Sequence, residues 1–464
     1  MSLPAPVLPI VGPLVGAIAV LLLGRWPRLQ SIVGVLVAII LAGWIATLSP
    51  DSTDTTSSSQ NAIPFEGSTW LLVGRRLLLT AGLQDFLVLL FVGFGLLFLV
   101  SLPFPQGPTF VPAGLAALSP LAALLLVQLT AFAAILLIIA ITLLLMSYQP
   151  QVPQKTMGAL RYLLLFLLTL PLFLLIGWLF ESGPATLLSP LMVAALAMAI
   201  AMVLAGFPFY IWVYPIVAEA PLLIPALIFG LGQTVVIAFV FSLLQANVWL
   251  TQNTQFLNWL RWSSVGTVLI AALLILVAGR WRFLLGHLLL LNMGMSILAL
   301  TLPQPQAWNV ALLAHISRFL SLLLAASALS LLQRYRQDDT IAASRGLGKQ
   351  LPLIIALLAY ACFSLLGTPL TIGFPAQWAM ITSLGQQTSI WLTTLLVLAL
   401  ALSVYGVLRV MVILFEESDK EQVVTEPNWQ RAVVAVILLL AILIALFPQP
   451  FLAQISQMTT ALNG

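Results

Sequence analysis

Charged residues and cysteine are both scarce in this sequence. Charged side chains make up 6% of the 464 residues, whereas a soluble protein carries roughly a quarter. The single cysteine, Cys362, excludes a disulfide framework and a thiolate metal cluster within the chain. The sequence also lacks a glycine-rich phosphate loop, a Cys/His cluster and a nucleophile triad. We therefore expect no flavin, iron–sulfur, nicotinamide or metal site in this chain, which excludes oxidoreduction by the chain alone.

Long apolar runs, by contrast, are abundant. Hydrophobic residues make up 62% of the chain, and its mean hydropathy is +1.14. Runs of about 20 apolar residues recur from end to end, which predicts an all-α polytopic membrane protein. The run over 110–147 is too long for one span and is predicted to form two, with the break near Pro120. The pattern then gives about fourteen transmembrane helices.

Basic residues in the short loops predict the orientation of the chain in the membrane. Under the fourteen-helix count they fall on one face, which is predicted to be cytoplasmic. Both termini then face away from the cytoplasm, and the loop 333–350 faces it. The net charge of +4 follows from this loop bias, so no nucleic-acid partner is expected. The basic loop residues are Arg25, Arg28, Lys155, Arg161, Arg280, Arg282, Arg334 and Arg336.

Polar stretches between the apolar runs predict the extramembrane segments. The longest runs from Pro50 to Ala81 and begins with the low-complexity sequence "DSTDTTSSSQN". Its composition predicts a partly flexible extramembrane loop. Two further polar stretches, "QRYRQDDTIAASRGLGKQ" and "EESDKEQVVTEPNWQR", are predicted to be ordinary connecting loops.

Two apolar segments are interrupted by glycine and proline in a matching way. They are "SLLGTPLTIGFPAQW" (364–378) and "LAGFPFYIWVYPIVAEAPLLIPAL" (204–227), and each contains Gly-Phe-Pro followed shortly by Trp. Proline removes a helical N–H and clashes with the preceding turn, so it frees backbone carbonyls at membrane depth. Such groups must be buried in protein or line a hydrated cavity. Two kinked packing helices would explain the pattern, but a matched pair of breaks is typical of internally repeated transporter folds.

The broken segments resemble those of a known family, the antiporter-like membrane subunits of respiratory complex I and of multi-subunit cation/proton antiporters. The family's Pro-aromatic-Trp sequence and its Ala-Pro-rich helix start are matched by "PFYIW…AEAPLLIPAL", and its second-half signature by 364–374. The resemblance implies fourteen helices with two inverted five-helix repeats, each containing one broken helix. It divides the chain into N-terminal transmembrane helices (1–48), an extramembrane loop (49–84), an antiporter-like repeat core (85–415), and a C-terminal loop and transmembrane helix (416–464).

The resemblance also identifies the positions of a proton path, where this sequence departs from the family. Gln128 stands where the family has a glutamate in its fifth helix, and Val203 stands where it has a lysine before the proline of the broken seventh helix. Gln233 replaces a lysine or histidine in the next helix, and Gln377 replaces a lysine or glutamate in the twelfth. Glutamine keeps hydrogen-bonding capacity but cannot ionise, and valine keeps neither property. We therefore predict that the proton channel is reduced or lost.

Few other ionisable residues lie in or near the apolar runs. Glu219 matches a family acidic position at a helix start, where the helix dipole would hold it as an anion, and both a structural cap and a proton-carrying role fit. His315 and Arg318 lie three residues apart on one helix face, which suits a shared water or carboxylate contact. His287 replaces a family aromatic and fits either a core histidine or a titratable site. Arg409 lies near a span end, where snorkelling is the default role.

Three functions are compatible with this pattern. The first is a membrane subunit, without a redox site of its own, of an NAD(P)H- or ferredoxin-type quinone oxidoreductase of the complex I kind. The second is a subunit of a proton/cation secondary transporter of the multi-subunit antiporter type. The third is a stand-alone carrier of a neutral solute, since fold does not fix function. We favour the first.

The favoured interpretation carries expectations about partners and location. The partners would be lipid and the other polytopic membrane subunits of a complex I-like or antiporter assembly. Quinone and the iron–sulfur or nicotinamide cofactors would be bound by those partner subunits, with none in this chain. The chain would reside in a bacterial inner membrane or a thylakoid-type membrane.

Overall fold

Helices make up nearly all of the chain that the computed structural model describes. The described residues are 4–24, 26–48, 69–72, 75–127, 130–148, 157–182, 190–303, 306–335, 338–387, 390–416, 427–449 and 452–457. In chain order the elements are α1 Val7–Leu21, α2 Pro27–Ala46, β1 Thr69–Leu72, β2 Arg75–Leu78, α3 Ala81–Ser101, α4 Phe110–Leu126, α5 Thr130–Met146, α6 Met157–Ser182, α7 Pro190–Val203, α8 Val213–Glu219, a π-helix Ala226–Gly232, α9 Gln233–Ala246, α10 Val248–Gln252, α11 Thr254–Leu276, α12 Trp281–Ala299, α13 Gln306–Tyr335, α14 Leu347–Gln350, α15 Pro352–Leu366, α16 Phe374–Gln387, α17 Ile390–Phe415 and α18 Asn428–Leu446.

The predicted all-helical membrane protein is confirmed in its class. Within the described ranges, nine helices are long and apolar enough to cross a membrane: α2, α3, α6, the π-helix continued by α9, α11, α12, α13, α17 and α18. Shorter apolar helices lie between them: α1, α4, α5, α7 and α15. Because a helix satisfies its own backbone hydrogen bonds, it is the form in which such apolar segments can cross lipid. The chain is an integral membrane protein.

The helices differ strongly in how much of their surface the rest of the chain covers. In the most apolar stretch of each helix, 89% of the residues are buried in 226–246 and in α12, and 72% are buried in α13. The corresponding share is 28% in α6 and 17% in α18. The segment 226–246, α12 and α13 therefore form the interior of the protein. Helices α6 and α18 present apolar side chains to the membrane.

The predicted division of 110–147 into two helices is observed, but the predicted position of the break is wrong. Helix α4 continues through the buried Pro120. The chain leaves the helix at Val127, whose ψ is 130°. A proline deletes one backbone donor, and a transmembrane helix tolerates this loss where neighbouring helices cover the freed carbonyl. Pro120 is thus an interior residue of α4 and does not end it.

The predicted extramembrane loop contains regular structure at its end. Residues 49–68 lie outside the described part of the chain. Strands β1 and β2 then pair antiparallel, with Thr69 opposite Leu78 and Leu72 opposite Arg75. Leu77 also forms a bridge with Val127, directly after α4. This pairing satisfies facing backbone groups of 69–72 and 75–78, and the bridge at Leu77 fixes the second strand against the helical body.

The loop after α13 is held by specific hydrogen bonds and is more than an ordinary connection. The backbone N–H of Trp281 donates to the carbonyl of Asp339 at 3.1 Å, and that of Ile341 donates to Gly279 at 3.0 Å. The indole Nε1 of Trp281 donates to Ser344 Oγ at 2.9 Å. The loop after α13 and the turn before α12 therefore lie side by side, as expected of two loops on one face of the membrane.

Candidate functional site

The first Gly-Phe-Pro segment breaks its helix, as the sequence predicts. Helix α7 ends at Val203, and the backbone then takes a positive φ of 58° at Ala205. A 3₁₀ turn over Tyr210–Trp212 leads into α8. The peptide bond between Phe207 and Pro208 is cis. A non-glycine residue in the left-handed region cannot continue an α-helix, and a proline three residues later lacks the N–H that a helix would need.

Hydroxyl groups of α11 satisfy the backbone that the first break exposes. Thr267 Oγ1 accepts from the N–H of Phe207 at 2.7 Å. Ser263 Oγ donates to the carbonyl of Phe207 at 2.9 Å. Thr267 in turn donates to the carbonyl of Ser263 at 2.7 Å. Neutral side chains of a neighbouring helix therefore satisfy the backbone groups exposed at the break. Such groups must find partners within the protein when they lie inside a membrane.

Two of the predicted proton-path positions meet at the first break. The side-chain Nε2 of Gln233 donates to the carbonyl of Val203 at 3.0 Å. Gln233 is fully buried and lies where the π-helix 226–232 passes into α9. Its Oε1 has no hydrogen-bond partner among the described residues. At the two positions where the resemblance implies ionisable side chains, this chain has an amide bonded to the last carbonyl of α7.

The second Gly-Phe-Pro segment also breaks its helix, with different geometry. Helix α15 ends at Leu366, and Gly367 follows with φ of 71°. Leu370 also takes a positive φ, 66°. Helix α16 begins at Phe374. A Cβ at Gly373 would overlap the carbonyl oxygen of Ser364, so the two helix ends approach each other where only glycine fits.

Serine side chains satisfy the backbone of the second break. Ser364 Oγ lies 2.7 Å from Ser321 Oγ of α13. The same oxygen accepts from the N–H of Gly373 at 3.2 Å. Ser321 also donates to the carbonyl of Ser317, one turn earlier in α13, at 2.7 Å. The chain of hydroxyls connects the interior helix α13 to both sides of the break.

A buried cation lies next to the second break. The Arg318 side chain is fully buried. Its guanidinium donates to Asn292 Oδ1, to the Asn292 carbonyl at 3.0 Å, to Met293 Sδ at 3.1 Å and to Ser296 Oγ. Asn292 Nδ2 donates at 3.2 Å to the carbonyl of Leu365, in the last turn of α15. In the described part of the chain this guanidinium bonds to no carboxylate.

His315 and Arg318 have no common hydrogen-bond partner among the described residues, so the shared carboxylate contact is not found there, and a shared water stays a prediction. The ring Nδ1 of His315 lies 2.8 Å from the carbonyl of Ala311. Its Nε2 is buried and has no hydrogen-bond partner among the described residues. Arg318 instead points to α12. The two side chains occupy the same helix face but bond to different helices, because the guanidinium is longer and finds its acceptors across the interface.

Gln377 lies close to the second break without joining its hydrogen bonds. The side chain is 8% exposed, and its Cβ and Cγ lie against Gly367. Its Nε2 is buried without a partner among the residues described. The side chain therefore packs against the turn as a neutral, largely apolar group.

Glu219 forms a structural cap, but its helix differs from the predicted one. It is the last residue of α8, so it does not lie at the start of a helix. Its Oε2 accepts from the N–H of Gly158 at 2.8 Å and from Tyr148 OH at 3.2 Å. Gly158 lies in the first turn of α6. The carboxylate thus caps the positive end of α6, a neighbouring helix that only the tertiary structure brings to it.

Two arginines cap the C-termini of neighbouring helices by donating to their last carbonyls. Arg282, which the sequence analysis counts among the basic loop residues, is 5% exposed and donates to the carbonyls of Ala218 and Ala220 at the end of α8. Arg409 donates through Nη1 to the carbonyl of Leu276, the last residue of α11, at 2.5 Å. Cations stabilise helix C-termini, where unpaired carbonyls accumulate. Arg409 is exposed, as expected of a side chain near a span end.

His287 packs as a core ring. It is 8% exposed and stacks on Tyr214 of α8, with ring centroids 5.8 Å apart and an interplanar angle of 8°. Gln128, the remaining predicted position, lies outside the described residues. No group of three or more His, Cys, Asp or Glu side chains in the described ranges could hold a metal ion.

The arrangement holds the breaks with hydrogen bonds but does not link the titratable candidates to each other. None of the hydrogen bonds among the described residues joins two of Glu219, His287, His315, Arg318 and Arg409. The residues that sequence reasoning missed are Asn292, Ser296, Ser321 and Ser364. A signal for Asn292 exists, because an amide in an otherwise apolar helix needs a partner. The serines carry no such signal, since a serine can bond within its own helix.

Comparison with known proteins identifies the family. Residues 86–403 match the family model for the transmembrane part of NADH:quinone oxidoreductase and Mrp antiporter subunits. The chain is 28% identical over 281 residues to NADH-quinone oxidoreductase subunit N of Ectopseudomonas mendocina, covering 58% of this chain and 56% of that protein. It is 24% identical over 255 residues to subunit N of Hydrogenovibrio crunogenus, covering 53% of each. The chain therefore aligns with about half the length of the curated relatives it matches.

Solved structures share the fold over the whole chain. An archaeal membrane-bound sulfane sulfur reductase subunit superposes with a TM-score of 0.77 at 16% identity, covering 98% of this chain and 97% of that one. A chain of respiratory complex I from Thermus thermophilus gives 0.72 at 21% identity, covering 99% and 100%. A chain of the Mrp complex from Dietzia gives 0.75 at 15% identity, covering 99% and 97%. At these identities the superpositions show the fold alone, whereas the family model covers most of the sequence; the chain belongs to the NADH:quinone oxidoreductase/Mrp antiporter transmembrane family.

Proposed function

We propose that this chain is a membrane subunit of an NAD(P)H- or ferredoxin-type quinone oxidoreductase of the complex I kind, with a reduced or lost proton channel. The observation that carries the proposal is the Gln233–Val203 hydrogen bond. It occupies, with a neutral amide and a backbone carbonyl, the place where the family resemblance implies two ionisable groups. A side chain that cannot ionise cannot pass a proton on by gaining and losing it.

The second break supports the same conclusion. Gln377 packs its amide beside Gly367 without a partner for Nε2, so it offers no charge at the other predicted position. The ionisable side chains nearby, His315 and Arg318, bond to separate helices. Proton transfer through a membrane needs a continuous series of groups whose pKa values neighbours can shift.

The alternative is a subunit of a proton/cation secondary transporter of the multi-subunit antiporter type. One observation favours it. Arg318 is a fully buried cation beside a broken helix, and a charge at membrane depth is a functional candidate by default. In this alternative Arg318 and His315 would handle the transported charge, with the Gln-lined breaks as its surroundings.

The fine architecture is part of the proposal. The nine long apolar helices and the shorter ones support about fourteen spans, if α7 with α8 and α15 with α16 each form one broken span. The similar placement of the two breaks supports two inverted five-helix repeats within a core of 85–415. The segments 1–48, 49–84 and 416–464 would then lie outside that core. The contact between the turn at 279–281 and the loop at 339–344 supports a common cytoplasmic face, with both termini on the other side.

The proposal places redox chemistry on partner subunits. Quinone and the iron–sulfur or nicotinamide cofactors would be bound there, and this chain would associate laterally with other polytopic subunits through apolar and small-residue faces. The host membrane would be a bacterial inner membrane or a thylakoid-type membrane. Gentle solubilisation of the tagged chain from its native membrane should recover it with several polytopic partners. Recovery of the chain only as a monomer would contradict the assembly.

Ion flux tests the lost channel and separates the two candidates. Proteoliposomes that contain the purified chain and a trapped pH-sensitive dye should show no proton or sodium flux above protein-free vesicles. Robust flux that Glu219→Gln or His315→Ala abolishes would overturn the reduced-channel proposal and establish the transporter. Ser456→Ala, a change in an exposed hydroxyl outside both breaks, is the matched control and should leave either result unchanged.

Orientation has its own test. A reporter fused at residue 340, in the loop after α13, should respond as a cytoplasmic domain. A second reporter at the C-terminus should respond from the opposite side. A result on the external side at residue 340 would overturn the span count and the repeat arrangement together.

A further inference from the structure

A deep apolar crevice runs along the outside of the helical body. It has a volume of about 500 Å³ and lies between α3, α13, α15 and α18. Along α13 it extends from Leu320 to Arg334, which at 1.5 Å per residue is about 21 Å. Leucine, isoleucine and valine side chains make up most of its walls. Because half the hydrocarbon core of a bilayer is about 15 Å thick, the crevice is long enough for one acyl chain of a single leaflet.

One end of the crevice is polar, and it carries a positive charge. Arg334 lies there and is exposed. Its Nη2 donates to the carbonyl of Pro103 at 2.8 Å, and its guanidinium lies 4.9 Å from the centre of the Phe104 ring. These contacts hold the group at the mouth but engage few of its five N–H donors. The one salt bridge found among the described residues joins Arg345 to Glu416, so Arg334 has no carboxylate partner there.

The start of α18 contributes to the same polar end. Trp429 and Gln430 line the crevice beside Arg334. The N-cap of α18 is Pro427, which provides no capping side chain, and the first turn of α18 contains no acidic residue. Gln430 Oε1 accepts from Tyr335 OH at 2.9 Å, which holds the N-terminus of α18 to the end of α13. An uncapped helix N-terminus and a guanidinium both favour an anion, and an exposed tryptophan is typical of the headgroup level of a membrane.

We infer that this crevice binds one anionic phospholipid, with an acyl chain between α13 and α18 and the headgroup phosphate at Arg334. A lipid fits better than a protein helix because the crevice has a volume of only about 500 Å³, and Arg334 is the one charged side chain among the described residues that line it. Arg334 belongs to the loops that the sequence predicts to be cytoplasmic, and that leaflet is rich in anionic lipids. The inference does not depend on whether the chain conducts ions.

Lipid binding to the purified full-length chain tests the inference. Native mass spectrometry in mild detergent would measure the affinity for added phosphatidylglycerol and for phosphatidylcholine of the same acyl chains. We expect tighter binding of phosphatidylglycerol, and Arg334→Gln should weaken it about fivefold and reduce its advantage over phosphatidylcholine, whose net charge is zero. This corresponds to about 1 kcal/mol for one basic residue near a membrane surface. Arg161→Gln removes an exposed basic residue outside the crevice and should have no effect.

Filling the crevice tests the acyl-chain site separately. Leu324→Trp places a large ring in its middle, and Val433→Trp does so from the exposed side of α18. Whichever variant keeps the wild-type unfolding temperature should lose both lipids. Equal affinity for the two lipids, equal weakening by Arg161→Gln, or retention of lipid by a folded tryptophan variant would each overturn the inference. So would crosslinking of position 433 to a second protein chain in native membranes that leaves no lipid bound.

Discussion

The two broken helices share a sequence motif but are held by different chemistry. At the first, the hydroxyls of Thr267 and Ser263 and the amide of Gln233 bond to the exposed backbone. At the second, serine hydroxyls likewise bond to the exposed backbone. In addition, Asn292 connects this break to the buried guanidinium of Arg318. Gly-Phe-Pro therefore predicts where a helix stops, and the facing helices decide whether a charge lies beside the stop.

The glycines of the two motifs also differ in their surroundings. A Cβ at Gly373 would overlap a backbone carbonyl oxygen, that of Ser364. A Cβ at Gly206 would meet the ends of the Ser263 and Ile297 side chains, the latter at 2.9 Å. Side-chain ends can move, whereas the backbone at the end of α15 is held by its own hydrogen bonds. Glycine is thus a stricter requirement at the second break.

The largest loss of stability is expected when alanine replaces the glycine of the second motif. Gly373→Ala should lower the free energy of unfolding by about 3 kcal/mol, because the backbone at Ser364 would have to shift, and Gly206→Ala by about 1 kcal/mol. Gly385→Ala is the control, since nothing lies within 4 Å of a Cβ there. That change should stabilise α16 by about 0.5–1 kcal/mol. Unfolding in detergent micelles would measure all three, and an equal or larger loss at Gly206 would contradict the comparison.

The next largest loss of stability is expected when the buried charge beside the second break loses a hydrogen-bond partner. Asn292→Leu leaves Arg318 Nε and the carbonyl of Leu365 without their partner, so it should cost about 2–3 kcal/mol. Gln233→Leu at the first break removes one donor to Val203 and also removes a buried oxygen that lacks a partner. It should cost about 1 kcal/mol. The same unfolding measurement applies, and a costlier change at Gln233 would show that the buried guanidinium is not coupled to the break.

Among the hydroxyl groups, by contrast, we expect the larger loss of stability at the first break. Thr267→Val removes the 2.7 Å acceptor of the Phe207 N–H and should cost about 1–2 kcal/mol. Ser364→Ala removes the 3.2 Å contact with Gly373 N, and Ser321 keeps its bond to the Ser317 carbonyl after losing the Ser364 hydroxyl, so the change should cost about 1 kcal/mol. Thr382→Val removes a half-buried hydroxyl that bonds only within its own helix α16 and should stay within about 0.5 kcal/mol. A greater loss for Ser364→Ala would mean that the serines hold the second break more firmly than their geometry indicates.

The smallest effect is expected at Gln377. Its amide nitrogen is buried and has no partner among the described residues, so Gln377→Met removes a polar group that contributes no bond while keeping the volume. Stability should change by less than about 0.5 kcal/mol or increase slightly. Matched unfolding curves for wild type and variant would show this. A loss above about 1.5 kcal/mol would reveal a partner for the amide and return Gln377 to the list of functional positions.

Much of the fold could be predicted from sequence because membrane rules act locally. The apolar runs predicted helical spans, and the Gly-Phe-Pro segments predicted both breaks near Val203 and Leu366. The predicted break near Pro120 was wrong, since a proline buried among other helices does not end its own helix. The paired strands 69–72 and 75–78 were missed because their contact with the end of α4 depends on residues distant in sequence.

The partners of the polar residues were decided only by the tertiary structure. The sequence by itself determined the membrane class, the scarcity of charge, the two breaks and the neutral residues at Val203, Gln233 and Gln377. It could not determine that Glu219 caps α6, or that Arg318 bonds to Asn292. A hydrogen bond needs two groups within about 3 Å, and helices far apart in sequence bring such groups together only when the whole bundle packs. Local pattern therefore fixes where a polar group sits along a helix, and packing fixes what it touches.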